Sequence, residues 1–163
     1  MQRIIGGKAY KSKATITRPA DTTAYAAGDV VGATAAAIEF KYAGPDDGHI
    51  IITDADFEID VTAVPSGMTS FRLYLYSATP PSALADNAAF DLPSGDRASF
   101  LGHVDLGTPV DIGSTLWVQT SQINRHVKLA AGTTSLFGYL VTAAAFTPSS
   151  AAVKSITLKS VGV

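Results

Sequence analysis

The chain has 163 residues, 47% of them hydrophobic, enough for one domain with a substantial core and too few for two independent ones. It contains no cysteine, which excludes disulfides, thiolate metal sites and a cysteine nucleophile, so stability must come from burial and from neighbouring subunits. A net charge of -2 argues against direct nucleic-acid binding. No run approaches the roughly 18 apolar residues of a membrane-spanning helix, so no membrane partner is expected.

In chain order, the opening "MQRIIGGKAYKSK" lacks the uninterrupted apolar stretch of a secretory leader, and the expectation is a soluble protein not exported by a cleaved signal. Arg3, Lys8, Lys11, Lys13 and Arg18 all precede the first acid, Asp21. Residues 1–18 therefore read as an extended basic N-terminal arm and residues 19–163 as the folded domain. Such an arm either contacts a partner or stays solvated. From Asp21 to Asp60 nine acids face one cation, Lys41, and after Asp111 there are none, so the chain has a basic start, an acidic middle and a mildly basic end.

Helical periodicity is scarce, whereas short alternating runs recur between Gly, Pro, Asp, Asn and Ser. Strands are expected at Lys13–Thr17, Asp29–Val31, Ala36–Tyr42, His49–Val61, Ser70–Ser77, Phe100–Asp105, Thr115–Thr120, His126–Leu129, Ser135–Ala145 and Ala152–Ser160. Turn signals separate them at "AGPDDGH", "PSGM" and "LPSGD", and "PPSALADN" reads as a short helical turn. The Ala-rich "AYAAGDVVGATAAA" reads as loop and strand, because Gly28 and Gly32 interrupt it and Val30 and Val31 favour extension. About ten strands in one small domain fold as two packed antiparallel sheets, an all-β sandwich or jelly-roll-like domain.

Alternation also sorts side chains into faces. In "SFRLYLYS", Phe71, Leu73 and Leu75 share one face and Arg72, Tyr74 and Tyr76 the other. One face goes to the core; the Tyr/Arg face is either ordinary strand surface or a partner-binding face. "LVTAAAF" is too apolar for a wetted strand and implies close packing between sheets or subunits.

In "DADFEID", Asp54, Asp56, Glu58 and Asp60 alternate with Ala55, Phe57 and Ile59. A strand spreads alternate side chains in a line about 7 Å apart, whereas calcium requires some six to eight oxygens converging on a point. The row therefore reads as a solvated strand face rather than a metal site, able to receive cations such as those of the basic arm from a neighbouring chain. His49, His103 and His126 fall in separate segments with no metal-ligand spacing and read as surface residues. No G-x-S-x-G elbow occurs, "IGGK" lacks the P-loop spacing, and no carboxylate pair of a glycosidase stands out, so neither catalysis nor a cofactor is expected. Trp117 reads as a core residue beside Leu116 and Val118; the competing reading is a sugar-stacking platform.

Three stretches, "TRPADTTAYAAGDVVG" (17–32), "DNAAFDLPSGD" (86–96) and "TSLFGYLVTAAAFTPSSAAVKSITL" (134–158), together resemble a family of small virion structural proteins of tailed bacteriophages. The resemblance implies a β-sandwich or jelly-roll protein on the outer capsid surface, a decoration or cement protein assembled in the host cytoplasm. It implies a homotrimer that bridges and stabilises capsomers, with the major capsid protein as partner and a second decoration protein as a further one. The residues expected at contacts are Arg3, Lys8, Lys11, Lys13 and Arg18 of the arm and Arg72, Tyr74 and Tyr76 of the domain. Deleting residues 2–13 is then expected to weaken attachment without unfolding the domain. The alternative is a receptor- or glycan-binding module of the tail or of a head fibre.

Overall fold

The structure, a computed structural model, describes residues 7–32 and 36–163. Ten strands are arranged as two antiparallel sheets: β1 (Ala9–Thr17), β2 (Ile38–Phe40), β3 (His49–Ile59), β4 (Phe71–Tyr76), β5 (Phe100–Gly107), β6 (Val110–Asp111), β7 (Leu116–Thr120), β8 (Arg125–Lys128), β9 (Leu136–Thr142) and β10 (Val153–Gly162). The first sheet runs β1-β10-β3-β7-β6, and the second β2-β9-β4-β5. The all-β sandwich expected from the alternating runs is the fold found.

β3 organises the first sheet. One edge pairs with β10 along its length, while the other is divided, Ile52 and its predecessors pairing with β8 and Ala55 onward with β7. The link between β7 and β8 turns through two left-handed residues, Gln122 (φ 60°) and Asn124 (φ 49°), and the Ile123 N–H donates to the Thr53 carbonyl at the division. A register shift opposite Lys159/Ser160 changes the parity of β3. Ile50 and Ile52 point inward before it and Ala55, Phe57 and Ile59 after it, so both halves feed the same core.

Between the sheets lie Ile50, Ile52, Phe57, Leu116, Ile156 and Leu158 from one side and Phe40, Phe71, Leu73, Leu75, Leu106 and Leu140 from the other. Phe71 meets Phe57 edge-on at 5.0 Å and Phe146 at 6.0 Å; such pairs add about 0.5–1.5 kcal/mol each to burial. β9 is apolar on both faces because both are covered, the inner by the first sheet and the outer by loops of its own chain. At Gly138 a Cβ would lie 2.7 Å from the Tyr74 carbonyl oxygen, so glycine here permits close approach of β9 to β4.

Two expectations are corrected. Within the segment read as an arm, Ala9–Thr17 is not detached: it is a nine-residue strand in register with β10, from Ala9↔Val161 to Thr17↔Val153. Alternation in "KSKATIT", with Ser12 and Ala14 inward and Lys11, Lys13 and Thr15 outward, continues the strand expected at Lys13–Thr17 back into the basic segment. Deleting residues 2–13 is therefore expected to remove over half of this ladder, and to lower the melting temperature in calorimetry by about 5 °C or more, rather than leave the domain intact. Arg3 and residues 33–35 lie outside the described residues. Secondly, "PPSALADN" forms turns without helix; the only helical turn among the described residues is a 3-10 segment at Ser94–Asp96.

Candidate interaction surfaces

On the outer face of the first sheet the register builds cross-strand rows. One runs Thr15, Ser155, Glu58, Trp117, Val110; the next runs Lys13, Thr157, Asp56, Gln119; a third runs Lys11, Lys159, Asp54. The acidic row of β3 is thus flanked by lysines of its own chain. Lys13 Nζ lies 3.0 Å from Glu58 Oε2, and Lys159 Nζ lies 2.8 Å from Asp56 Oδ2. Of the carboxylates read as a strand face, Asp54, Asp56 and Glu58 lie on the outer face of β3, and Asp60 follows its last residue. Their cations come from β1 and β10, which adds a second reason against a shared metal ion in the row. The exposed Lys13–Glu58 pair is worth under about 1 kcal/mol and serves solubility and register more than stability.

Trp117 differs from its expectation. Leu116 is wholly buried, and strand parity puts Trp117 on the opposite, outer face beside Glu58, partly covered. Its cross-strand neighbour Val110 is 56% exposed and Ile112, in the adjoining turn, 62% exposed. A small apolar platform therefore borders the charged rows. Lys8 also keeps an aromatic neighbour, its ammonium lying 5.4 Å from the Tyr10 ring centre, and Lys11 is exposed on β1.

The Tyr/Arg face of β4 meets a different end. Two long loop segments, 18–32 and 77–99, fold over the outer face of the second sheet. Phe90 stacks on Tyr74 at 4.0 Å, and Leu84, Leu92 and Val30 pack around Tyr76, Tyr139 and Val141. Tyr76 is 0% exposed and cannot be a partner contact; the chain's own loops supply the partner that the apolar face required. Tyr74 is half-buried beneath Phe90, and Arg72 alone of the three is exposed, its Nε donating to Asp105 Oδ1 at 3.0 Å. A cleft of about 350 Å³ beside Arg72 and Tyr74, bounded by Gly28 and Ala143, is what remains open.

Arg18 is also internal, at 2% exposure. Its Nε donates to Tyr25 Oη at 3.2 Å, one terminal nitrogen donates to Asp21 Oδ1 at 2.9 Å, and Asp86 Oδ2 lies 3.6 Å away. The Tyr25 hydroxyl donates to Asp86 Oδ1 at 2.6 Å, which also accepts from the Gly32 N–H at 2.9 Å. Burial, followed by the bond to Asp86, pushes the Tyr25 hydroxyl pKa well above its usual value. Lys154, on the inward side of β10 at 2% exposure, adds a second cation whose ammonium has no hydrogen-bond partner among the described residues. Burial pulls its pKa down to about 8, with Arg18 reinforcing the shift and Asp86 opposing it.

This buried network joins the three stretches singled out in the sequence. Arg18, Tyr25 and Asp29 come from the first, Asp86 and Asp96 from the second, and Tyr139, Phe146 and Lys154 from the third. Tyr25 bridges Phe146, Asp29 bridges Ala89, and Val30 bridges Val141. Asp96 accepts from the Ser82 backbone N–H and hydroxyl, while Tyr139 donates to the Ser82 carbonyl at 2.5 Å, which anchors the second loop. The histidines do not all stay apart: His49 and His126 meet across β3 and β8, whereas His103 lies on the other sheet near Asp105. No group of three or more His, Cys, Asp or Glu side chains gathers at a metal-binding spacing among the described residues. No described helix is long and apolar enough to cross a membrane.

No protein-family model and no curated protein matches the chain. Among solved structures it is similar to a chain of the cyanophage Pam1 capsid asymmetric unit, at 13% identity over 99% of this chain and 89% of that one, TM-score 0.38. It is similar also to the C-terminal CBM6 of the laminarinase LamC from Zobellia galactanivorans, at 14% identity over 93% and 98%, TM-score 0.36. A third similarity is to a chain of the empty head of turnip yellow mosaic virus, at 13% identity over 99% and 85%, TM-score 0.31.

Proposed function

We propose that this chain is a non-enzymatic virion protein of a tailed phage that sits on the outer capsid surface as a decoration or cement protein, bridging and stabilising capsomers as a homotrimer. The observation that carries the reading is the convergence of the three family-like stretches on one buried unit. Arg18 and Tyr25 of the first stretch, Asp86 of the second and Lys154 of the third meet beneath the loops, and Tyr139 of the third anchors the second loop at Ser82 and Leu84. Similarity in all three is therefore similarity in one three-dimensional module, whose job is to hold the loops against the second sheet. The module is structural in chemistry, as a virion protein requires. The first sheet then offers a rigid outer face of paired charges with an apolar platform at Trp117, suited to repeated moderate contacts on two capsomers of the major capsid protein or on an adjoining decoration protein. Lys8, Lys11 and Lys13 reach the partner from this sheet instead of from a tether.

Gold-labelled antibody on intact particles is expected to decorate the head. Label confined to the tail tip would favour receptor binding instead, and absence from the particle would overturn the virion reading.

A glycan-binding module is the second reading, favoured by the outward placement of Trp117 beside Glu58 and Val110. The two separate on one variant. Trp117→Ala is expected to reduce occupancy on particles while host-surface glycans leave the wild-type tryptophan emission unchanged. A blue shift and quenching on adding glycan would reverse the order of the two readings.

A further inference from the structure

His49, at the start of β3, and His126, in β8, are 77 positions apart and meet diagonally across an antiparallel pair, His49 facing Lys128 and His126 facing Ile51. Both are exposed. Their rings lie nearly parallel, 9° between planes and 5.1 Å between centres, with His49 Nδ1 3.1 Å from His126 Nε2. Two imidazole nitrogens bound to one late first-row divalent ion at about 2.0–2.1 Å, with an angle at the metal between square and tetrahedral, stand roughly 3 Å apart. The pair thus already has the spacing of a bidentate ligand set, held by backbone hydrogen bonds on two paired strands.

From this geometry we infer that His49 and His126 form a chelating site for a borderline divalent transition ion such as zinc, nickel or copper, with water completing the coordination. The chemistry fits the ligand class: neutral imidazole suits these ions, and calcium or magnesium, which take oxygen ligands, are not expected there. In the free protein one ring donates N–H to the other's lone pair. On binding, the donor ring shifts its proton to its other, solvent-facing nitrogen, so both lone pairs turn to the ion. Lys128, opposite His49, pairs with Asp47 at 2.9 Å. An ion here fastens the four-residue β8 to β3, at the divided edge of the first sheet.

The test is calorimetric titration of the untagged protein with nickel and zinc chlorides at pH 7.5, alongside thermal unfolding. The expected result is one equivalent bound. His49→Ala and His126→Ala should each weaken affinity by about tenfold to a hundredfold through loss of the chelate, while His103→Ala changes nothing. At a hundredfold excess over Kd the melting temperature of the wild type should rise by about 5–10 °C. Both histidines are exposed, so the variants keep the fold. Absence of binding overturns the inference, as does binding that survives both substitutions or that falls with His103→Ala.

Discussion

Asp86→Ala is expected to destabilise the domain by about 3–5 kcal/mol, because it leaves the buried Arg18 and Lys154 facing each other without the carboxylate between them. Asp86 also accepts from the Tyr25 hydroxyl and the Gly32 N–H, two donors that would lose their partner away from water. At this chain length the loss corresponds to a fall in melting temperature of roughly 10 °C. Asp86→Asn keeps an oxygen for both donors and forfeits only the charge, so its loss should be about half as large. Chemical denaturation of the two variants measures the difference. Equal stability of wild type and Asp86→Ala would remove the network from any account of how the loops are held.

Lys154→Met should act in the opposite direction. The ammonium of Lys154 is buried without a hydrogen-bond partner, and Arg18 already balances Asp86. An unbranched apolar side chain of similar length fills the space without a charge to desolvate. A gain of about 1–3 kcal/mol at pH 7 is expected. The pH profile provides the sharper test. In the folded chain the amine titrates at about 8, chiefly through burial, against 10.5 ordinarily. Between those values the unfolded chain holds a proton that the folded chain has released, so wild-type stability rises with pH through the window, in total by on the order of 3 kcal/mol. The buried Tyr25 and Tyr76 hydroxyls, both raised by burial, oppose this above pH 10, since the unfolded chain then loses their protons first. Urea midpoints from pH 7 to 10 should therefore climb for wild type and stay flat for Lys154→Met. A climb of equal size in both would assign the slope to another group.

Much of this architecture is legible in period-two alternation. β3, β4, β7 and β10 are bounded in the sequence within a few residues of where they fall, because each sets apolar against polar side chains on a half-covered sheet. Asp29–Val31 has a strand's composition yet makes only isolated bridges, since its neighbours are loops. Val110–Asp111 is too short to leave a pattern. The site was less legible, for different reasons. Trp117 is a misreading of available signal: Leu116 and Val118 share a parity that excludes the residue between them. Tyr76 could not have been placed, because a face covered by the chain's own distant loops has the same composition as a face awaiting a partner. Lys154 and the two facing histidines are products of register between strands far apart in sequence, and no local window contains either.

The position of β10 has a consequence for how the protein comes to be made. It lies between β1 and β3, and of the described strands it is the last to leave the ribosome. Thr17 waits for Val153, and until then β1 has no ladder and the apolar side of β3 is uncovered along one edge. The second sheet can pair β4 with β5 early, but the first cannot close during elongation. Translation is therefore expected to yield a half-assembled sandwich with open strand edges, whose closure by distant pairings should be slow for the size of the chain.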